Sequence, residues 1–131
     1  MKSFNFILAA VLIPLMVVFS GCATEDIRNI NNAAVATSSK GVAMDKVTKA
    51  IQNAGVQLGW SMRLVKPGHF EGTLYLRKHM AKVDVKYNSK TYSITYKDSS
   101  NLGYDGTMIH KNYNGWITNL DAAIKSRMSV L

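Results

Sequence analysis

The sequence predicts an α+β fold with two layers, in which two helices cover one face of a four-stranded antiparallel meander sheet. Three observations support this prediction. Apolar residues recur at helical spacing near residue 50 and again after residue 115, and between these two segments they alternate with polar residues. Short polar turns separate the alternating runs, which gives the element order α-β-β-β-β-α. The chain has 131 residues, 47% of them hydrophobic, which is enough for one packed domain.

The first helix is predicted over about residues 45–54. Its apolar stripe consists of Met44, Val47, Ile51 and Ala54. Asp45 suits the first turn of a helix, and Gly55 suits its end.

Four strands follow, and their predicted ranges are about 57–65, 69–77, 80–88 and 91–97. Pro67 and Gly68 occupy the positions that a type II turn requires, so they join the first two strands. Two-residue turns are predicted at residues 78–79 and 89–90. The first of these turns places Leu74 opposite Val83. A register shifted by one residue would mix apolar and polar faces, so we expect one apolar and one solvent-exposed face.

The C-terminal helix carries the apolar stripe Trp116, Leu120, Ala123, Ile124 and Met128. Asn112 or Asn114 is predicted to cap its first turn. Residues 98–111, between the last strand and this helix, are predicted to form the longest loop of the domain.

Residues 1–21 are predicted to be a lipoprotein signal peptide. Lys2 provides positive charge, and residues 6–19 are fourteen consecutive apolar residues. This run is shorter than the roughly 20 residues that span a bilayer and suits the apolar region of a signal peptide. Cleavage is predicted between Gly21 and Cys22, and residues 44–131 then form the periplasmic domain.

The segment FSGC at residues 19–22 resembles the lipobox of bacterial lipoproteins, although leucine is usual in place of Phe19. The resemblance implies that the thiol of Cys22, the only cysteine, receives a diacylglyceryl group and that acyl chains then anchor the protein in a membrane. The alternative is an ordinary secretory signal followed by a free thiol. Ala23 replaces the aspartate that favours inner-membrane retention in enteric lipoproteins, which indicates the outer membrane.

Residues 22–43 are predicted to be the lipidated cysteine and a flexible tether, because they are rich in Ala, Asn, Ser and Thr and lack a regular apolar period. As a coil this segment would span on the order of 25 Å. It would hold the domain near the membrane without embedding it.

The solvent-exposed face of the predicted sheet is the candidate binding surface. It carries an excess of cations with one tyrosine among them: Arg63, Tyr75, Arg77, Lys82, Lys86 and Lys97. Tyr104 and Asp105 of the following loop are predicted to assist. The chain has 16 Lys and Arg against 8 Asp and Glu, and an export signal makes lipopolysaccharide or anionic lipid the expected partner rather than nucleic acid. The alternative is a solvated face whose lysines prevent aggregation.

Neither a cofactor nor a metal is predicted, and no catalytic residue is assigned. Residues 98–109 lack the ligand pattern of a calcium-binding loop, and the histidines at positions 69 and 79 lie at opposite ends of the predicted second strand. A small hydrolase using Ser99 or Ser100 with Asp98 and His110 remains an alternative that no sequence motif supports.

The segment TYSITYKDSSNLGYDGTMIHKNYNGWITNLDAAI at residues 91–124, which follows LYLRKHMAKVDVKYN, resembles an uncharacterised family of small Gram-negative lipoproteins. The resemblance implies an outer-membrane lipoprotein on the periplasmic side and carries over no catalytic residue. A non-enzymatic binding or envelope-maintenance module is therefore predicted. The alternative is an accessory subunit of an envelope complex, which would pair with a partner through the first or fourth predicted strand.

Overall fold

The computed structural model describes residues 23–131 and confirms an α+β fold with two helices and an antiparallel sheet. The elements in chain order are β1 Thr24–Asp26, β2 Ile30–Ala34, α1 Met44–Gln57, β3 Ser61–Lys66, β4 His69–Leu76, β5 His79–Tyr87, β6 Thr91–Ser100, β7 Met108–His110 and α2 Lys111–Met128. The predicted signal peptide, its cleavage site and Cys22 lie outside the described residues.

The strands form two antiparallel sheets, so the prediction of four strands was wrong. The larger sheet has five strands in the order β2-β6-β5-β4-β3, and β1 pairs with β7 in a sheet of two. The meander from β3 to β6 corresponds to the four predicted strands, and the three further strands lie outside their predicted ranges.

The prediction of a flexible tether was also wrong for residues 24–34, because these residues supply β1 and β2. Ile27, Ile30, Ala33 and Val35 are partly buried against the hydrophobic core. The backbone N–H of Lys111 donates to the carbonyl oxygen of Ala23 at 2.9 Å. The chain is therefore attached to the domain from its first described residue.

The register of the β4–β5 hairpin differs from the predicted one by two residues. Leu76 pairs with His79, so the turn consists of Arg77 and Lys78, and Leu74 faces Ala81. Arg77 adopts a φ of 56°, which this tight turn requires. Because side chains alternate with a period of two, the shift leaves every residue on its predicted face. The predicted β5–β6 register is confirmed from residue 83 to residue 96.

Both helices differ from their predicted ends. Gly55 lies inside α1, packed against Met62, and the left-handed residue that follows the helix is Gly59, with a φ of 89°. The N-cap of α2 is His110, whose Nδ1 accepts the backbone N–H of Asn112 at 3.1 Å.

The core lies between the two helices and one face of the five-stranded sheet. Its fully buried residues of largest volume come from both layers and the loop before β7: Tyr92, Tyr113, Phe70, Ile51, Ile94, Leu102, Ile109, Ile117, Leu120, Ile124, Met128 and Val47. The opposite face of the sheet is left to solvent, as predicted, and holds the candidate site.

The antiparallel strands give the domain two ends. We call proximal the end that contains Ala23, the Arg77–Lys78 turn and the first turn of α2; at this end the rings of His79 and His110 lie 6.2 Å apart. We call distal the end that contains the turns at residues 67–68 and 88–90 and the first turns of α1. The hydroxyl groups of Thr48 in α1 and Tyr87 at the end of β5 are 2.8 Å apart there. The nine residues of β5 separate the two ends by about 26 Å.

Candidate functional site

Glu71 is the centre of an ion-pair cluster in the middle of the exposed sheet face. Its carboxylate lies 3.0 Å from the guanidinium of Arg63 and 2.6 Å from the ammonium of Lys97. Lys82 is 3.9 Å away. The hydrogen bonds from Lys97, which has the larger effect, and from Arg63 lower the pKa of Glu71 to about 2. Three cations of the predicted binding surface therefore surround one carboxylate.

Asp84 extends this cluster, because it lies directly opposite Glu71 in the β4–β5 ladder. Two carboxylates in this position would repel each other. Lys97 lies 2.6 Å from the carboxylate of Glu71 and 3.7 Å from that of Asp84, and the hydrogen bond to Glu71 raises its pKa. A bulge in β6, opposite the junction of Lys82 and Val83, places Lys97 there. The imidazole Nε2 of His69 is 2.6 Å from Asp84 on the other side.

The other predicted site residues do not join this cluster. Tyr75, 74% exposed, and Arg77 lie at the proximal end. Tyr104 packs on Tyr96 with ring centroids 4.0 Å apart. Asp105 accepts hydrogen bonds from the backbone N–H groups of Met108 and Thr107, which lower its pKa. The structure therefore does not bring the predicted residues together as one basic surface, because three of the five cations lie beside carboxylates and the other two lie at opposite ends of the domain.

Lys86, the last of the predicted cations, lines an open cleft of about 510 Å³ at the distal end of the exposed face. We call this feature the distal cleft. Its basic side chains are Lys66, His69 and Lys86, and its neutral polar ones are Asn31, Asn32, Tyr87, Asn88, Ser93 and Thr95. No carboxylate lines it among the described residues. Sequence reasoning missed Lys66 because it precedes a turn, and it missed Asn31 and Asn32 because β2 was not predicted.

The lysines of the domain concentrate around this cleft. Among residues 23–131, the distal end holds six lysines and a single aspartate, Asp45 in the first turn of α1; the lysines are Lys40, Lys46, Lys49, Lys66, Lys86 and Lys90. By contrast, the proximal end has three acids and four cations in the described part of the chain: Glu25, Asp26 and Asp105 against Arg28, Arg77, Lys78 and Lys111. Most of the net positive charge of the domain therefore lies at one end.

A second open groove, of about 760 Å³, lies at the proximal end between the segment from β1 to Arg28 and the first turns of α2. Glu25 and Asp26 line it together with Arg28 and Lys111. The side chain of Asn114 ties its two walls, because its amide donates to the Asp26 carbonyl and its oxygen accepts the Arg28 N–H. Its balanced charge gives no preference for an anionic partner.

The residues of the alternative hydrolase hypothesis, Ser99 or Ser100 with Asp98 and His110, are held by other contacts. The hydroxyl of Ser99 lies 2.8 Å from that of Tyr96, and Asp98 accepts the backbone N–H of Ser99. His110 instead caps α2 through Nδ1. Within residues 23–131, no three His, Asp or Glu side chains converge in a way that could hold a metal ion.

Comparisons with protein-family models, with curated proteins and with solved structures each found no match to this chain. None of the helices in the described part of the chain is long and apolar enough to cross a membrane.

Proposed function

We propose that this protein is a lipid-anchored lipoprotein of the outer membrane, whose periplasmic domain is a non-enzymatic module that binds an anionic component of the cell envelope. The anchor is proposed at Cys22, on the strength of the apolar run and the FSGC segment. The observation that carries the binding function is the distal cleft, where Lys66 and Lys86 face solvent without a carboxylate in the cleft lining.

The arrangement of the cleft supports an anionic ligand. Lysine ammonium groups are mobile point charges that attract phosphate or carboxylate groups, and amide and hydroxyl side chains beside them provide further hydrogen bonds. The ion pairs around Glu71 hold the neighbouring strands together but leave no net charge free for a ligand. We therefore move the proposed site from the whole sheet face to its distal end.

Labelling with a radioactive or clickable fatty acid tests the anchor. The wild-type chain should incorporate label, whereas Cys22→Ser should not. Equal labelling of both proteins would contradict lipidation and leave a secreted protein.

Charge reversal in the full-length protein tests the binding site. The Lys66→Glu/Lys86→Glu variant should lose retention on solubilised envelope material that carries phosphate and carboxylate groups. The matched control is Arg77→Glu/Lys78→Glu, which makes the same change of charge at the proximal end and should retain it. Retention of the wild-type protein should also weaken with salt, because exposed charges are screened. Equal retention of the two variants would contradict a site at the distal cleft.

A second candidate function is strand pairing with an envelope protein. The outer edge of β3 is free of a neighbouring strand within the described chain, and Leu64 and Val65 are 49% and 41% exposed on it. The predicted edge at residues 91–97 is not available, because β2 covers that side of β6. A Leu64→Lys/Val65→Lys variant should lose any partner bound by strand addition, since charged residues protect sheet edges. Tyr75→Lys/Leu76→Lys, at a second exposed pair of large side chains near the proximal end, is the control.

A further inference from the structure

The point at which the chain leaves the domain determines which part of the domain faces a membrane. Ala23 accepts a hydrogen bond from the first residue of α2, and the next residue, Thr24, pairs with His110 in the β1–β7 ladder. Cys22 immediately precedes Ala23 in the sequence. Consecutive Cα atoms are about 4 Å apart, so an anchor on Cys22 would be attached directly beside the proximal end.

The distal cleft lies far from that anchor. The length of β5 alone separates the two ends by about 26 Å. The Debye length at physiological ionic strength is about 8 Å, so this separation equals about three Debye lengths. The charges of the anchoring bilayer are then screened to about a twentieth at the distal lysines.

The charge distribution does not favour a domain that lies flat with its exposed sheet face on the bilayer. The middle of that face has Arg63, Lys82 and Lys97 as cations, and the acids beside them are Glu71, Asp84 and Asp98, which lies opposite Lys82. This region has no net charge to attract an anionic headgroup. The proximal end, with nearly balanced charge, tolerates the membrane surface without strong attraction.

We infer that the partner of the distal cleft is a carboxylate-bearing polymer that lies away from the anchoring bilayer, in the space the domain projects into. This inference rests on the proposed lipid anchor and deepens the proposed binding function. Lys66 and Lys86 would contact the carboxylates, while the amide and hydroxyl side chains of the cleft suit the neutral polar groups of such a polymer. The peptidoglycan layer has this chemistry and is the probe for the test.

The first experiment measures orientation in the full-length, lipidated protein in bilayer nanodiscs. Once Cys22 is acylated, a cysteine introduced by Lys78→Cys or Lys90→Cys is the only free thiol for a fluorophore. A quencher attached to the lipid headgroups should reduce the emission of the label at position 78 strongly and of the label at position 90 little. Equal quenching, or stronger quenching at position 90, would overturn the orientation.

The second experiment measures binding by sedimentation with purified peptidoglycan. The distal variant is Lys66→Glu/Lys86→Glu/Lys90→Glu, and the matched proximal variant is Arg77→Glu/Lys78→Glu/Lys111→Glu, which changes the formal charge by the same amount. The amount of protein that sediments with peptidoglycan should fall about tenfold or more for the distal variant and should change little for the proximal variant. Thermal melting of both variants verifies that they are folded.

Three results would overturn the inference: equal losses in both variants, undiminished sedimentation of the distal variant, or wild-type binding to phosphatidylglycerol vesicles but not to peptidoglycan. The labelling experiment separates this failure from failure of the anchor. Without fatty acid on Cys22 the proposed lipoprotein is refuted, whereas a labelled protein with an unaffected distal variant refutes the polymer partner alone.

Discussion

Removing the hydroxyl group of Tyr92 should destabilise the domain strongly. This hydroxyl donates a hydrogen bond to Asp121, the one buried carboxylate among the described residues. Tyr92 lies in β6 and is 1% exposed, and its hydroxyl donates to Oδ1 of Asp121 at 2.5 Å. Asp121 is itself only 7% exposed, and its second oxygen accepts from Lys125 at 2.9 Å. Burial, and then the neighbouring carboxylate, raise the pKa of Tyr92, so it remains a protonated donor.

The expected magnitude follows from the charge on the acceptor. A hydrogen bond to a charged group contributes roughly 1.5–3 kcal/mol, and Tyr92→Phe leaves the buried oxygen of Asp121 without that donor. We therefore expect a loss of about 2 kcal/mol in the free energy of unfolding. For a domain of this size, that loss lowers the Tm by about 10 °C.

Urea denaturation and thermal melting of full-length protein measure this effect. Tyr87→Phe is the matched control, because it removes the hydroxyl of another buried tyrosine, which bonds the neutral and only partly buried Thr48, and it should cost about 1 kcal/mol or less. In an Asp121→Leu background, Tyr92→Phe should cost clearly less than in the wild type. A cost for Tyr92→Phe no greater than for Tyr87→Phe, or unchanged in that background, would refute the reasoning.

Three further predictions concern single residues. Tyr113→Phe should raise the free energy of unfolding by roughly 1 kcal/mol, because the Tyr113 hydroxyl is buried without a hydrogen-bond partner in the described chain. A lower free energy of unfolding in urea denaturation would contradict this. Glu71 has a pKa lowered from 4.5 to about 2, so the stability it contributes is complete above pH 4.5 and lost as the pH falls toward 2. Urea midpoints measured across that range should fall less steeply in Glu71→Gln than in the wild type, and equal slopes would exclude this role. Gly68→Ala should cost roughly 1–2 kcal/mol in thermal melts, since φ is 85° and the new Cβ would lie 2.9 Å from the carbonyl oxygen of Tyr87. Gly41→Ala, where φ is 65° but nothing lies within 4 Å, should cost less, and equal costs would exclude the contact as the cause.

Strand β2, which lies in the predicted tether, shows why apolar alternation does not reveal every strand. In β2, Ile30 pairs with Ile94 and Ala33 pairs with Tyr92, so three residues of β2 match two of β6. Asn32, with a φ of 52°, takes up the irregularity. The two apolar residues therefore share a face at a spacing of three, and no period of two appears in the sequence. β1 is only three residues long, which is too short for any periodic signal.

The hairpins of the meander show the opposite case. Apolar alternation predicted which residues face the core, and this prediction is correct for β4, β5 and the part of β6 up to residue 96. It could not distinguish two registers that differ by two residues, because both leave every side chain on the same face. The position of the β4–β5 turn depends on Arg77 adopting a left-handed conformation, for which arginine carries no specific sequence signal.

The sequence could not show which cations pair with carboxylates and which remain free for a ligand. Alternation placed Lys82 and Lys97 on the exposed face, but the bulge that brings Lys97 to both Glu71 and Asp84 depends on β6 having one residue more than β5. A cation between two carboxylates belongs to the fold, whereas one in a cleft without carboxylates is available to a ligand. For this domain the net charge thus says less about its partner than the location of the unpaired lysines, which lie at the end opposite to the proposed anchor.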